Sequence, residues 1–266
     1  MGTTAISYVT KSWGLVVGCT KCSPGCRSCW AARLAATRLR HRPEYAGLAE
    51  RNGDGYNWTG EVRLLPQRLE EPLRWRKPQT VFVCPMGDLF HQDVPEDYIA
   101  QVFTTMWVSP QHTYLVLTKR PGRMADLSRR FWWGAKPLPN VWLGVSVEDQ
   151  RAADERIPLL LQTSAVVRWI SAEPLLGNVH LGPENCHVTD PSMVGRTIDW
   201  IVAGAESGPG ARPCELDWLR SLRDQCQAVG VSYYLKQARI DGKLVHLPEL
   251  DGRQWTEMPV SQETQP

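Results

Sequence analysis

The chain has 266 residues, of which 42% are hydrophobic and 22% are charged, and its formal net charge is +2. This composition predicts one large globular domain and excludes disordered, strongly acidic and histone-like proteins. The longest apolar runs are far shorter than the ~20 residues that a membrane span needs. The first residues also lack the basic and then apolar layout of a signal peptide. We therefore expect a cytoplasmic protein that does not contact a membrane.

Short apolar, β-branched segments alternate with longer helix-like segments along most of the chain. This alternation predicts a parallel sheet covered by helices, either open or closed into a barrel. The predicted strands are residues 15–17, 80–84, 114–118, 141–147, 166–171, 200–205 and 232–235. The predicted helices are residues 31–39, 66–74, 96–108, 120–130, 149–162 and 215–229. The rhythm is interrupted by an insertion at 40–62 and a loop at 178–198, and it ends in a tail at 238–266.

Four of the eight cysteines lie within eleven residues, in the segment GCTKCSPGCRSCW, as Cys19, Cys22, Cys26 and Cys29. Spacing this tight is poor for disulfides among the four and good for thiolates that converge on a metal. Structural zinc sites usually pair two CxxC knuckles across roughly 12–20 residues. One continuous loop around an iron–sulfur cluster is closer to ferredoxin-type ligation. The spacing favours an iron–sulfur cluster over zinc, and the other cysteines are interpreted as buried thiols.

Polar side chains gather where each predicted strand ends. The cysteine segment follows the first strand, and the later strands are followed by Asp88, by Lys119 and Arg120, by Ser146 and Glu148, by Glu173, by Glu206, and by Lys236. In parallel α/β barrels the active site lies at the carboxyl ends of the strands. We therefore expect these groups to share one mouth, although loops after strands are polar in any fold.

These residues lie in seven segments spread over residues 12–237. The segments are SWGLVVGCTKCSPGCRSCWA, VFVCPMGDLFHQDVP, YLVLTKRPGRM, NVWLGVSVEDQ, ISAEPLLG, DWIVAGAESGPGARP and YLKQ. In order and spacing the chain resembles a phage-associated, radical-SAM-like family of unknown function with a three-cysteine motif. More distantly it resembles the spore photoproduct lyase branch of radical S-adenosylmethionine (SAM) enzymes. The resemblance implies a phage protein with a partial (β/α) barrel of about six to seven parallel strands and outer helices over residues 1–237.

The resemblance also implies a [4Fe–4S] cluster held by three thiolates, with SAM on the fourth iron. The superfamily spacing selects Cys22, Cys26 and Cys29. The family usually has cysteine at the positions of Cys19, Cys26 and Cys29, and often an apolar residue at position 22. The third ligand is therefore open between Cys19 and Cys22. A fourth thiolate on the cluster would block SAM.

Several strand-end residues are expected to bind SAM. Asp88 is interpreted as the partner of its ammonium group, with a helix cap or turn as the structural alternative. Ser146 and Glu148 suit the ribose hydroxyls, although an acid here also suits a helix start. Glu206 and Arg212 are candidates for adenine, the SAM carboxylate or the substrate.

Glu173 is expected to be either an acid at the mouth or a buried ion-pair partner. Lys119, Arg120 and Lys236 are basic groups that suit a phosphorylated or nucleic acid substrate. A second basic run lies at residues 33–42, and a solvated helix face is its simpler interpretation. His91 is the one histidine expected near the site.

The resemblance implies reductive cleavage of SAM to methionine and a 5′-deoxyadenosyl radical that abstracts hydrogen from a substrate, with nucleic acid or a nucleotide as the candidate. An external electron donor of the flavodoxin or ferredoxin type is then required. Two alternatives stay open. The first is a non-catalytic nucleic-acid-binding protein with a structural iron–sulfur or zinc site. The second is a degenerate barrel that keeps the cluster but does not bind SAM.

Overall fold

The computed structural model describes residues 6–53, 55–182 and 197–259. Its strands are β1 (Lys11–Trp13), β2 (Val16–Val17), β3 (Ala49–Asn52), β4 (Gly55–Trp58), β5 (Arg63–Leu64), β6 (Thr80–Val83), β7 (Thr113–Thr118), β8 (Val141–Ser146), β9 (Val167–Ala172), β10 (Trp200–Gly204), β11 (Ser232–Ile240), β12 (Lys243–His246), β13 (Glu249–Leu250) and β14 (Arg253–Gln254). Its α-helices are α1 (Trp30–Ala36), α2 (Glu96–Trp107), α3 (Pro121–Arg130), α4 (Trp132–Ala135), α5 (Gln150–Gln162) and α6 (Leu216–Val229).

Eight strands form one sheet in the order β1-β6-β7-β8-β9-β10-β11-β12. Every neighbouring pair from β1 to β11 is parallel, and β12 adds to the edge antiparallel to β11. The sheet curls into a half-barrel. The prediction of an α/β fold with a mostly parallel sheet and covering helices is therefore confirmed. Because the strands are parallel, the segments that follow them leave from the same edge of the sheet.

Both faces of the sheet are covered by apolar side chains, as parallel sheets require. On one face, strand residues such as Val116, Leu143 and Ile201 pack in one cluster with the apolar sides of α2, α3, α5 and α6. On the other face, the alternate residues form a second cluster that contains Phe82, Leu115, Trp142, Trp169, Trp200 and Tyr234. Tyr8 and Val9, which precede β1, pack against this second cluster. Within the described ranges, no helix is long and apolar enough to cross a membrane.

The first strand of the main sheet lies earlier than predicted. Lys11–Trp13 pairs with β6, whereas Val16–Val17, inside the predicted strand 15–17, pairs antiparallel with β5 outside the main sheet. The prediction was wrong because β1 is an edge strand in which only Trp13 is buried. It therefore lacks the apolar run that marks the central strands.

The predicted helix at 66–74 is replaced by two 3-10 helices, Pro66–Arg68 and Glu71–Arg74. Pro72 has no backbone N–H to donate and its ring crowds the preceding turn, so it favours a break in the helix at this point. The predicted insertion at 40–62 contains the β3–β4 hairpin. Residues 183–196 of the predicted loop and 260–266 of the predicted tail lie outside the described residues.

The C-terminal segment continues the sheet. β11 runs to Ile240, so the predicted boundary at residues 237/238 falls inside a strand, and β12 pairs with its end. The chain then returns to β11, where Leu235 N donates to Trp255 O at 2.8 Å and Glu257 N donates to Tyr233 O at 3.1 Å. The chain up to Glu257 is thus bonded to the strand that ends the parallel part of the sheet.

Gly144 in β8 lies opposite Trp169 of β9, and a Cβ there would lie 2.5 Å from the Trp169 indole. The indole is fully buried and packs against Phe82 and Trp200, so it cannot move aside. We expect Gly144→Ala to lower the free energy of unfolding by about 1–3 kcal/mol, measured by urea denaturation. Gly177→Ala is the control, because its Cβ would meet nothing within 4 Å. Equal losses in the two variants would contradict this packing.

Candidate active site at the carboxyl ends of the strands

The cysteine loop, defined as residues 18–29, passes the carboxyl end of β6. Gly18 forms a parallel bridge with Gly87 and has a φ of 92°. A Cβ on Gly18 would lie 2.1 Å from the carbonyl oxygen of Glu61, so both the conformation and the space require glycine. The bridge between Gly18 and Gly87 places the start of the loop beside the segment that carries Asp88.

The thiols of the cysteine loop are free and lie in different environments. The Sγ atoms of Cys22 and Cys26 are 4.0 Å apart. The hydrogen bond between them lowers the pKa of Cys26 to about 4 and raises the pKa of Cys22. Burial raises the pKa of Cys19 to about 11, although Arg120 Nη1 donates to its Sγ at 3.6 Å. Cys29 is half-buried beside an apolar cluster under the loop.

The donor set of the loop fits a thiolate-bound metal centre. Four thiols stand within eleven residues, and the hydrogen bond from Cys22 together with the charge of Lys119 favours the thiolate of Cys26. Sulfur donors of this number suit an iron–sulfur cluster or zinc. Over residues 6–53, 55–182 and 197–259, no three His, Cys, Asp or Glu side chains form a preassembled metal-binding group.

Three further cysteines of the described residues have no place in the loop sequence. Cys84, Cys214 and Cys226 are buried, as predicted. Burial raises the pKa values of Cys84 and Cys214 to about 12, which keeps both as inert thiols. Cys186 lies outside the described residues.

Asp88 connects the ends of β6 and β7 to the cysteine loop. Its buried carboxylate accepts hydrogen bonds from Thr118 Oγ1 at 2.7 and 2.9 Å and from the backbone N–H of Phe90 at 2.9 Å. Arg120 Nη1 donates to the same carboxylate at 2.9 Å. The other end of this guanidinium, Nη2, donates to the carbonyl oxygen of Thr20 at 3.1 Å and to its hydroxyl at 2.7 Å. Asp88 therefore orients the arginine that holds the loop.

His91 also contacts Thr20 of the cysteine loop. Its Nδ1 accepts from the backbone N–H of Asp93 at 3.2 Å, so the ring proton lies on Nε2, 2.9 Å from the Thr20 hydroxyl. The ring is fully buried, and burial together with Arg120 lowers the pKa of His91. A neutral imidazole thus donates to the loop, at the place where the sequence predicted a histidine near the site.

Glu148, after β8, is the second carboxylate that contacts the loop. It is fully buried and accepts from Lys119 Nζ at 3.2 Å, Arg156 Nη1 at 2.9 Å and the backbone N–H of Gly25 at 3.4 Å. Burial alone would raise its pKa, but Lys119, the hydroxyl of Ser23 and Arg156 lower it to about 2. A permanent negative charge is therefore held directly under the turn before Cys26.

The last two carboxylates of the mouth are paired in the same way. Glu206 accepts from the backbone N–H of Arg212 at 2.9 Å and from its guanidinium, and Arg212 Nη1 also donates to Pro24 O in the loop at 2.9 Å. Glu173 accepts from Lys236 Nζ at 2.7 and 2.8 Å and from Gln237 Nε2 at 3.1 Å. Glu173 is therefore an ion-pair partner, as the second interpretation has it, but its side chain is partly exposed at the mouth.

The predicted site residues thus lie at one edge of the sheet. They are paired with one another rather than free to bind separate ligands. Each predicted substrate-binding cation is bonded to a predicted SAM-binding acid, in the pairs Lys119–Glu148, Arg120–Asp88 and Lys236–Glu173. Ser146 is buried beside them, and its carbonyl oxygen accepts from Arg156 Nη1 at 2.7 Å. This edge of the sheet therefore presents charges of both signs, each paired within the protein.

Sequence reasoning missed three residues that organise this edge. Thr118 and Thr20 carry too weak a pattern to be selected, because single threonines occur throughout the chain. Arg156 did carry a signal, since it occupies the same side of α5 as the buried Ala152 and Leu160. A charged side chain on an apolar helix face requires a buried partner, and here the partner is Glu148.

A family model described as a protein of unknown function (DUF5131) matches residues 3–259. No curated protein and no solved structure matches the chain.

Glu148→Gln tests whether the buried charge holds this edge together. The substitution leaves Lys119 and Arg156 without a countercharge in a dry environment, and we expect the free energy of unfolding to fall by about 3–5 kcal/mol in urea denaturation. Glu155→Gln breaks the exposed pair with Arg151 and should change it by less than about 0.5 kcal/mol. A small effect at both positions would show that Glu148 is not a structural charge.

Proposed function

The chain belongs to the DUF5131 family of unknown function, and we propose that it is a radical SAM enzyme built on a partial barrel of the radical SAM type. In this proposal the cysteine loop holds a [4Fe–4S] cluster at the mouth. One observation carries the proposal: side chains from three strand ends converge on the loop. Arg120 contacts Thr20, Glu148 contacts Gly25, and Arg212 contacts Pro24.

These contacts indicate different roles for the strand-end acids. Asp88 already accepts hydrogen bonds from Thr118 and Arg120 and from backbone N–H groups, so its role is to position the loop. Glu173 is more accessible than Asp88, with 18% of its side chain exposed against 8%, and its partner Lys236 is 17% exposed. We therefore assign the ammonium group of SAM to Glu173 and its carboxylate to a neighbouring cation of the mouth.

The residues that would hold the cluster are those of the cysteine loop. When bound, it would supply the one-electron reduction that cleaves SAM to methionine and a 5′-deoxyadenosyl radical, with an external donor of the flavodoxin or ferredoxin type as the source of the electron and a substrate hydrogen atom as the target of the radical. The chain itself contributes cations and anions that neutralise one another at the mouth.

The proposal predicts a cluster with an open iron site. After anaerobic reconstitution with iron and sulfide, we expect the dithionite-reduced protein to give a [4Fe–4S] electron paramagnetic resonance signal that changes when SAM is added. A cluster signal that is indifferent to SAM would contradict the enzyme and support four protein ligands or a degenerate barrel. Stoichiometric zinc without iron would leave a non-catalytic binding protein.

Cysteine variants identify the ligands. Cys26→Ala and Cys29→Ala should each reduce bound iron from about four atoms per chain to near zero. Of Cys19→Ala and Cys22→Ala, one should do the same and the other should keep the SAM-responsive signal. Cys214→Ala is the control, because the Cys214 thiol is buried in the main apolar cluster and this variant should retain its iron. Full iron content in Cys26→Ala or Cys29→Ala would overturn the ligand assignment.

A further inference from the structure

An unneutralised basic surface lies beside the cysteine loop. Residues 21–42 contain six lysines and arginines and no aspartate or glutamate. All six are exposed, and in the described part of the chain none of them forms a salt bridge. We call this the α1 basic surface, and it consists of Lys21, Arg27, Arg33, Arg38, Arg40 and Arg42.

Several arginines on other parts of the surface are paired, whereas the exposed Arg51 and Arg76 form no salt bridge among the described residues. Arg74 pairs with Glu70, Arg129 with Asp126, and Arg151 with Glu155. The cations of the mouth are also paired with acids. A net charge of +2 therefore conceals one strongly positive region, and such a region attracts polyanions. A solvated helix face explains exposure, but it does not explain why six cations occur in this stretch without a single carboxylate.

The surface adjoins the mouth. The guanidinium of Arg33 lies 3.6 Å from the position of a Cβ on Gly208, in the loop that follows β10. α1 begins directly after Cys29, and its first residue, Trp30, is 45% exposed. A large aromatic ring is thus accessible between the cysteine loop and the cations. Exposed aromatic rings beside arginines stack on unpaired bases, while the arginines contact phosphates.

We propose that the α1 basic surface and Trp30 bind single-stranded nucleic acid and lead it to the mouth. The phosphates lie along the arginines and a base stacks on Trp30. As a statement about the enzyme's substrate, this inference rests on the proposed function. As a statement about binding, it rests only on the surface and is tested without SAM or reductant.

The test uses the full chain and a fluorescein-labelled DNA strand of about 20 nucleotides, longer than most single-strand sites. Fluorescence anisotropy is measured over a series of salt concentrations. The wild type should bind, and log K should fall linearly with log salt. The variant Arg38→Ala/Arg40→Ala/Arg42→Ala should bind at least about tenfold more weakly, and its salt slope should be smaller by about 2, since each lost phosphate contact removes ~0.7.

A matched variant controls for net charge. Arg74→Ala/Arg129→Ala/Arg151→Ala removes the same charge from paired positions and should bind as the wild type does. For stacking, Trp30→Ala should weaken binding about tenfold or more, whereas Trp107→Ala, at an exposed tryptophan on α2, should not. Duplex DNA should compete less well than the single strand.

The inference is overturned if the two triple variants lose affinity equally, or if Trp30→Ala binds as tightly as Trp107→Ala. It is also overturned if the wild type binds anionic lipid vesicles but not the strand. Circular dichroism of each variant shows that it is folded. If protein without a cluster still binds the strand, this inference stands even if the radical SAM proposal fails. If the cluster responds to SAM but the protein does not bind the strand, the radical SAM proposal stands and this inference fails.

Discussion

Carboxylates that are removed from water at the ends of parallel strands must be neutralised, and the rest of the site depends on this requirement. Isolated buried charges cost several kcal/mol, so each acid takes a cation from a neighbouring strand or loop. The pairs are Asp88–Arg120, Glu148–Lys119, Glu206–Arg212 and Glu173–Lys236. Three of them also reach the cysteine loop through Arg120, Glu148 and Arg212. The ion pairs at this edge of the sheet therefore hold the cysteine loop, and with it the thiols, in place.

The same pairing separates two electrostatic regions. The mouth is close to neutral, because its cations are used internally, whereas the α1 basic surface has no acid to balance it. In the two proposals, a long polyanion binds at the rim and SAM binds inside the mouth. The separation of the two regions makes these proposals compatible, because the strand-end acids are neutralised and do not face the phosphates.

Much of this arrangement follows from patterns in the sequence, and the rest depends on tertiary contacts. Central strands such as β8 were predictable because they are apolar on both faces, whereas β1 was not, because an edge strand buries only Trp13. The sequence placed the acids and bases of the mouth at strand ends. It could not pair Arg120 with Asp88, 32 residues apart, because pairing depends on strand order and side-chain direction. Nor could it separate the solvated from the functional interpretation of residues 33–42, since that depends on where the carboxylates lie.

The segment before β1 has a consequence for synthesis on the ribosome. Tyr8 packs at ring distances of 5.3 Å from Trp200 and 5.5 Å from Tyr234, and the Ser7 hydroxyl lies 2.9 Å from that of Tyr234. The partners of these early residues are therefore translated much later, 192 residues after Tyr8 for Trp200 and 227 residues after Ser7 for Tyr234. A nascent chain that stalls before β11 leaves this aromatic cluster without Tyr234 and leaves the edge of β10 unpaired.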